Sequence, residues 1–182
     1  MKLSFCIAFI CLPCLSFCQN TSPVIQDGKR DSLHSKVLKE KRLFWVHLPS
    51  SYNDKSIQPI HYPVLYILDG DTHFRSISAM AEILGSGENA SHLIPEMIIV
   101  SVLNTDRTRD LTPTHSLKGP GGQDWNFLKS SGGGDNFMKF IKDELIPKID
   151  SSYRTFPYRI FVGHSFGGLM VIDALMTMPQ TF

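Results

Sequence analysis

Apolar positions recur along this chain with two different periods, and the switches between them mark out its elements. From Arg42 to Leu48, the apolar Phe44, Val46 and Leu48 alternate with Leu43, Trp45 and His47, the two-residue repeat of a strand with one face buried. Leu33 to Leu38 reads as its partner, with the charged Lys39-Glu40-Lys41 as the connecting turn. Tyr62 to Leu68 and Met97 to Leu103 are apolar runs bounded by turn signals and too short for core helices, so both are read as buried strands. Between them Phe74, Ile77, Met80, Ala81 and Leu84 fall at helical spacing, with Gly85 as the stop. A long polar loop is expected from Asn104 to Asp124. After Gly132-Gly133-Gly134, Asp135 is expected to cap a helix whose apolar face is Phe137, Phe140, Ile141 and Leu145 and whose limit is Pro147. Tyr158 to Val162 reads as a further strand, and Leu169 to Met178 as an apolar helix closed by Pro179.

This alternation of strands and helices after an opening hairpin predicts an α/β fold, a mostly parallel sheet with flanking helices joined by right-handed crossovers. Counted from Leu33, the strand that runs into Gly163 is the fifth.

The amino terminus follows neither period. Leu3 to Phe17 is an uncharged run after Lys2, too short for the ~20 residues of a spanning helix. A basic start, an apolar middle and small residues at Ser16 and Cys18 match a secretory signal peptide over residues 1–18, with Gln19 first in the mature chain. The alternative, a lipid-modified cysteine at Cys18, is poorly served by the bulky Phe17 before it. The expected product is exported, periplasmic or extracellular, without stable membrane insertion. All four cysteines lie in this segment, so the mature chain has no disulfide to form and must draw its stability from its core. Residues 19–31 read as a polar, irregular lead-in, and 32–182 as the folded domain.

Composition narrows the function. With 42% hydrophobic residues and 18 Lys+Arg against 17 Asp+Glu among 182 residues, the chain is neither a disordered polymer nor a nucleic-acid binder, which needs a basic surplus. The histidines show no metal-ligand spacing, so no metal is expected, and the glycine clusters lack the G-x-x-x-x-G-K-[ST] order of a phosphate loop.

Gly163-His164-Ser165-Phe166-Gly167 is a G-x-S-x-G sequence, weak alone but set between a strand and an apolar helix, with Gly168 adding a further small residue. That context fits a nucleophile elbow. Small neighbours allow a strand-to-helix turn so tight that the serine takes a positive φ and its hydroxyl stands clear of the backbone. The helix dipole beside it favours a developing oxyanion. Two amides are needed to hold that oxyanion: Phe166, directly after the serine, and one from the loop after the third strand, here Asp69-Gly70-Asp71-Thr72-His73. Gly70 lets the backbone turn closely, so the second amide is expected near Asp71.

The segments "YPVLYILDG", "IPEMIIVSVLNTDRTRDLTP", "DELIPKIDSSYRT" and "FVGHSFGGL", in this order from about Arg42 to Phe182, resemble the serine esterase family that includes esterase D, enterobactin-type siderophore esterases and feruloyl esterases. The resemblance implies an α/β-hydrolase fold with Ser165 as nucleophile, the Phe166 and Asp71 amides as oxyanion hole, a small-molecule carboxylic ester as substrate and no cofactor.

In that family the acid and the histidine follow the serine. The seventeen residues after Ser165 contain no histidine, and Asp173 is their sole carboxylate. His164 leaves so tight a turn in a different direction from its neighbour and cannot serve as base. The sequence is therefore read as a hydrolase domain truncated after the elbow helix, inactive as it stands, with the elbow strand left as an exposed apolar edge. The alternative function is a non-catalytic binding protein that keeps the hydrolase fold. His73 and Trp125 are candidate pocket residues. Asp69 is expected to accept from loop amides, and the alternating Asp106, Arg107, Arg109 and Asp110 to form local ion pairs or to meet an anionic substrate.

Overall fold

The computed structural model describes residues 28–86 and 92–182, so the signal-peptide reading and the lead-in up to residue 27 lie outside the described residues. Five strands form one sheet in the order β1-β2-β4-β3-β5: β1 Lys29–Ser35, β2 Glu40–His47, β3 Tyr62–Ile67, β4 Ile98–Val102 and β5 Thr155–Val162. The first three neighbours pair antiparallel and the last three parallel, with Val46 opposite Val100, Leu65 opposite Ile99 and Ile160 opposite Leu65. The α-helices are α1 Gly70–Gly85, α2 Arg107–Asp110, α3 Gly134–Phe140, α4 Ile146–Ser152 and α5 Phe166–Thr177.

Both faces of the sheet are covered. On one side Phe44, Val46, Val64, Tyr66, Val100 and Val102 pack against Phe137, Phe140 and Ile141 and against Met170 and Ala174 of α5. On the other, Ile67 and Ile99 meet Phe74 of α1. Burying each such side chain contributes about 1.5–3 kcal/mol. Central strands buried on both faces read as continuous apolar runs, which is why β3 and β4 show no alternation while β2 does. On α1, Met80 is exposed, since it lies six residues from the buried Phe74 and off that face.

The amino-terminal elements differ from the sequence expectation. Pairing begins at Lys29, so residues 29–31 belong to β1 rather than to an irregular lead-in. The turn is 36–39, closed by Lys39 at a φ of 55°, and Val37 and Leu38 lie in it rather than in a strand. Glu144 holds that turn: its carboxylate accepts from the Val37 amide (3.2 Å), the Lys36 amide (2.8 Å) and the Ser35 hydroxyl. Val37 and Leu38 can then pack against the main core.

Two further corrections concern the helix after the glycine run. Its N-cap is Gly133, and Asp135 sits inside the first turn, where it meets the helix dipole instead of capping. Pro147 does not end the helix. Ile141–Leu145 widens into a π turn, and Pro147 follows at the start of α4, where an amide is not required. Likewise β5 begins at Thr155, before Tyr158, and Pro157 is taken up at a register shift against β3. The loop expected over 104–124 contains α2 and the start of a small hairpin in which Lys118 bridges Asp124.

Candidate active site

β4, β3 and β5 lie side by side and parallel, so the turns that follow them meet at one edge of the sheet. Crevices at the carboxyl ends of such strands are where ligands bind in open α/β sheets.

The turn after β5 is the tightest. Only Gly163, His164 and Ser165 separate Val162 from the first residue of α5. Ser165 has φ 56° and ψ −117°, a conformation that L-residues adopt only when their surroundings hold them there. The Gly167 amide donates to the His164 carbonyl (2.9 Å) and the Leu169 amide to that of Ser165 (2.9 Å). A methyl group at position 163 would sit 2.3 Å from the Gly167 carbonyl, so only glycine fits. Gly167 is buried against Leu68 and Asp69, while His164 and Ser165 are exposed.

The turn after β3 lies directly beside it, because the Leu68 amide donates to the Val162 carbonyl (2.9 Å). Here the positive φ, 54°, falls on Asp69. Gly70 is required for a different reason: a side chain there would meet the Ser101 hydroxyl at 2.1 Å. The Asp69 carbonyl accepts from Thr72 (2.9 Å) and His73 (3.1 Å), which opens α1. Asp71 on α1 and Phe166 on α5 both stand in first turns, whose amides have no acceptor within their own helix and carry the positive end of the dipole.

The third turn supplies a charged anchor. The Arg107 guanidinium donates to both oxygens of the buried Asp69 carboxylate (2.6 and 2.9 Å) and lies 3.4 Å from the His164 carbonyl. It also stacks over the Phe166 ring at 5.4 Å. Asn104 donates to Asp69 (2.8 Å) and to Asp71 (3.0 Å). Burial pushes the Asp69 pKa up, but the hydrogen bonds from Arg107 and Asn104 outweigh it and hold the carboxyl below the usual range. The Asp69 carboxylate thus accepts from side chains of the third turn, while its carbonyl takes the loop amides of Thr72 and His73. Arg109 does pair locally with Asp110 (2.7 Å), and it reaches Glu40 of β2 as well (2.6 Å).

Of the other candidates, His73 meets His164 edge-on with ring centroids 5.9 Å apart. Trp125 belongs to a separate grouping. It stacks near Phe127 at 5.3 Å and, with Phe166, Leu169, Pro120, Thr114 and Lys118, lines an open groove of about 350 Å³ beside α5. Asn104 is the residue that spacing left unremarked. The one available signal was its place just after β4, the strand next to β3. Among the described residues no cluster of three His, Cys, Asp or Glu side chains could hold a metal ion.

A sheet of order 1-2-4-3-5 with an antiparallel second strand, and a serine at positive φ between the fifth strand and the next helix, defines the α/β-hydrolase type of fold. Comparison with known proteins agrees. The Esterase family, described as "Putative esterase", matches residues 35–182, and the chain belongs to this family. It is 33% identical over 132 residues to the ferri-bacillibactin esterase BesA of Bacillus subtilis, covering 68% of this chain and 46% of that protein. It is 30% identical over 154 residues to the siderophore triacetylfusarinine C esterase of Aspergillus fumigatus, covering 79% and 49%. An IroE-like serine hydrolase from Shewanella oneidensis superposes with a TM-score of 0.80 at 39% identity, over 85% of this chain and 48% of that one. The chain spans about half the length of the curated relatives it matches.

Proposed function

We propose that the chain is part of an exported serine carboxylic-ester hydrolase. The observation that carries this reading is the strained backbone of Ser165, exposed at the end of β5 beside the Asp69–His73 turn. In the proposed reaction the Ser165 hydroxyl attacks the ester carbonyl and loses its proton to a base. The amides of Phe166 and Asp71 bind the oxyanion, each contributing about 3 kcal/mol to the transition state. The alcohol leaves, and water then releases the acyl group from the serine. The base and its acid partner are proposed to belong to the part of the relatives' length that this chain does not span. His73, edge-on to His164, is assigned to the wall of the acyl pocket rather than to base chemistry, and Trp125 to the groove beyond it.

The relatives' names point to siderophore esters, and a small-molecule ester of that class is the proposed substrate. The proposed domain runs over 32–182, and export rests on the signal-peptide pattern of 1–18. An amino-terminal mass starting at Gln19 supports cleavage there, whereas labelling by palmitate would assign Cys18 to lipid attachment instead.

The rival reading is a non-catalytic binding protein that keeps the hydrolase fold and its pocket. A fluorophosphonate probe separates the two. Labelling of the full-length gene product at Ser165, lost in Ser165→Ala, supports the esterase. An unlabelled product that still binds the ester favours the binder.

A further inference from the structure

The reaction described above uses two amides on two different turns, and nothing in it assigns work to the guanidinium that touches both. We propose that Arg107 is a positioning residue that sets the distance between the two halves of the oxyanion hole. The inference rests on the esterase reading and deepens it.

One planar group makes all the connections. Its Nε and Nη2 grip Asp69, the residue that turns β3 into the helix carrying the Asp71 amide. The same Nη2 lies 3.4 Å from the carbonyl of His164, directly before the serine. Its face covers the ring of Phe166, directly after it. Asn104 locks the near side by donating to Asp69 and Asp71 together. Asp69 is held in a left-handed conformation at which a non-glycine residue stays only under restraint, so releasing its carboxylate frees the loop to relax. Arg107 is itself fixed from behind, since Asp110 of the same helical turn is buried in an ion pair with Arg42 at 2.6 Å. A lysine offers a point charge without the fork or the flat face, so it cannot make the three contacts at once.

Oxyanion donors act only where charge develops, so shifting one by a fraction of an ångström weakens the transition state and leaves substrate binding nearly untouched. In the full-length gene product acting on a p-nitrophenyl ester, Arg107→Ala and Arg107→Lys are expected to lower kcat, per serine titrated with a fluorophosphonate, by roughly 10- to 100-fold. KM is expected to stay within about twofold. Affinity for an alkyl boronic acid, whose tetrahedral adduct presents an oxygen to the same amides, should fall in parallel. Arg107→Lys keeps the charge and carries the test if Arg107→Ala does not fold. A purely structural role would lower the melting temperature while kcat per titrated serine and boronate affinity stayed at wild-type values, and that result overturns the proposal. Ser165→Ala separates the two levels. If Ser165→Ala retains turnover, the esterase reading fails and this inference with it. If Ser165→Ala is dead while Arg107→Lys turns over at the wild-type rate, only the positioning role is lost.

Discussion

Ser165 holds a backbone conformation that glycine adopts more readily than serine. Ser165→Gly is therefore expected to raise stability by about 1 kcal/mol in urea unfolding, even as it removes the hydroxyl. Two residues earlier the sign reverses. A methyl at Gly163 must displace the Gly167 carbonyl rather than the end of a flexible side chain, so Gly163→Ala should cost about 3 kcal/mol, read from the same urea midpoint. Asp69 adds a pH dependence. Its folded pKa lies below the ordinary 3.8, so its pairing contributes fully above that value and is lost as pH falls through the lower folded one. Acid unfolding of Asp69→Asn should lose that part of the slope. At this scale the glycines and the serine were legible, because small residues in a fixed order leave a local signature. The partner of Arg107 was not. Asp69 lies 38 residues away, and alternating charges around Arg107 offer nearer acceptors whose facing no spacing can decide.

Among the elements, α2 is the smallest and the most heavily tied. From one turn, Arg107 reaches the site while Asp110 and Arg109 reach β2. Arg42, 1% exposed, lies over the rings of Phe137 and Phe140 and donates to Asp110, Glu40 and the Leu103 carbonyl. Removing Asp110 leaves that charge buried and short of a partner. Asp110→Ala is expected to destabilise the fold by about 3–5 kcal/mol, measured by denaturant titration. The polar stretch over 104–124 gave no hint of such an element, since its apolar content is low and a single helical turn has no period to detect. Pro147 misled for a related reason. Sequence rules assume the helix before a proline is regular, and the π turn at Ile141–Leu145 removes that assumption. Val37 and Leu38 looked like strand residues because apolar side chains in a turn share the strand's composition; the Ser35 hydroxyl and the distant Glu144 pin the turn around them.

For the whole molecule, the class of fold was legible because period-2 and apolar runs alternate with helical spacing along the chain. Sheet order was not, since nothing local tells β4 to insert between β2 and β3. That order leaves β5, like β1, at an edge of the described sheet, with Phe156 and Tyr158 exposed on it. Beside it α5 shows Leu169, Ile172, Leu175 and Met176, the last 78% exposed. A strand open on one side next to an apolar helix face is a template for association. Residues 19–182 produced alone are expected to aggregate in light scattering. Tyr158→Lys should reduce the scattering, and a clear monomer without that substitution would contradict the expectation.

The placement of β3 also governs what happens while the chain is being made. Translation delivers β1 and β2 as a finished hairpin, yet both neighbours of β3 are encoded after it. Until Ile98 follows, the segment Tyr62–Ile67 leaves the ribosome with hydrogen-bonding groups on two sides and nothing to match them. The 30 residues from 68 to 97 set that interval at about 1.5 to 6 seconds at ordinary elongation rates of ~5–20 residues per second. Throughout it, a strand that will be paired on both sides stands with both of its edges open.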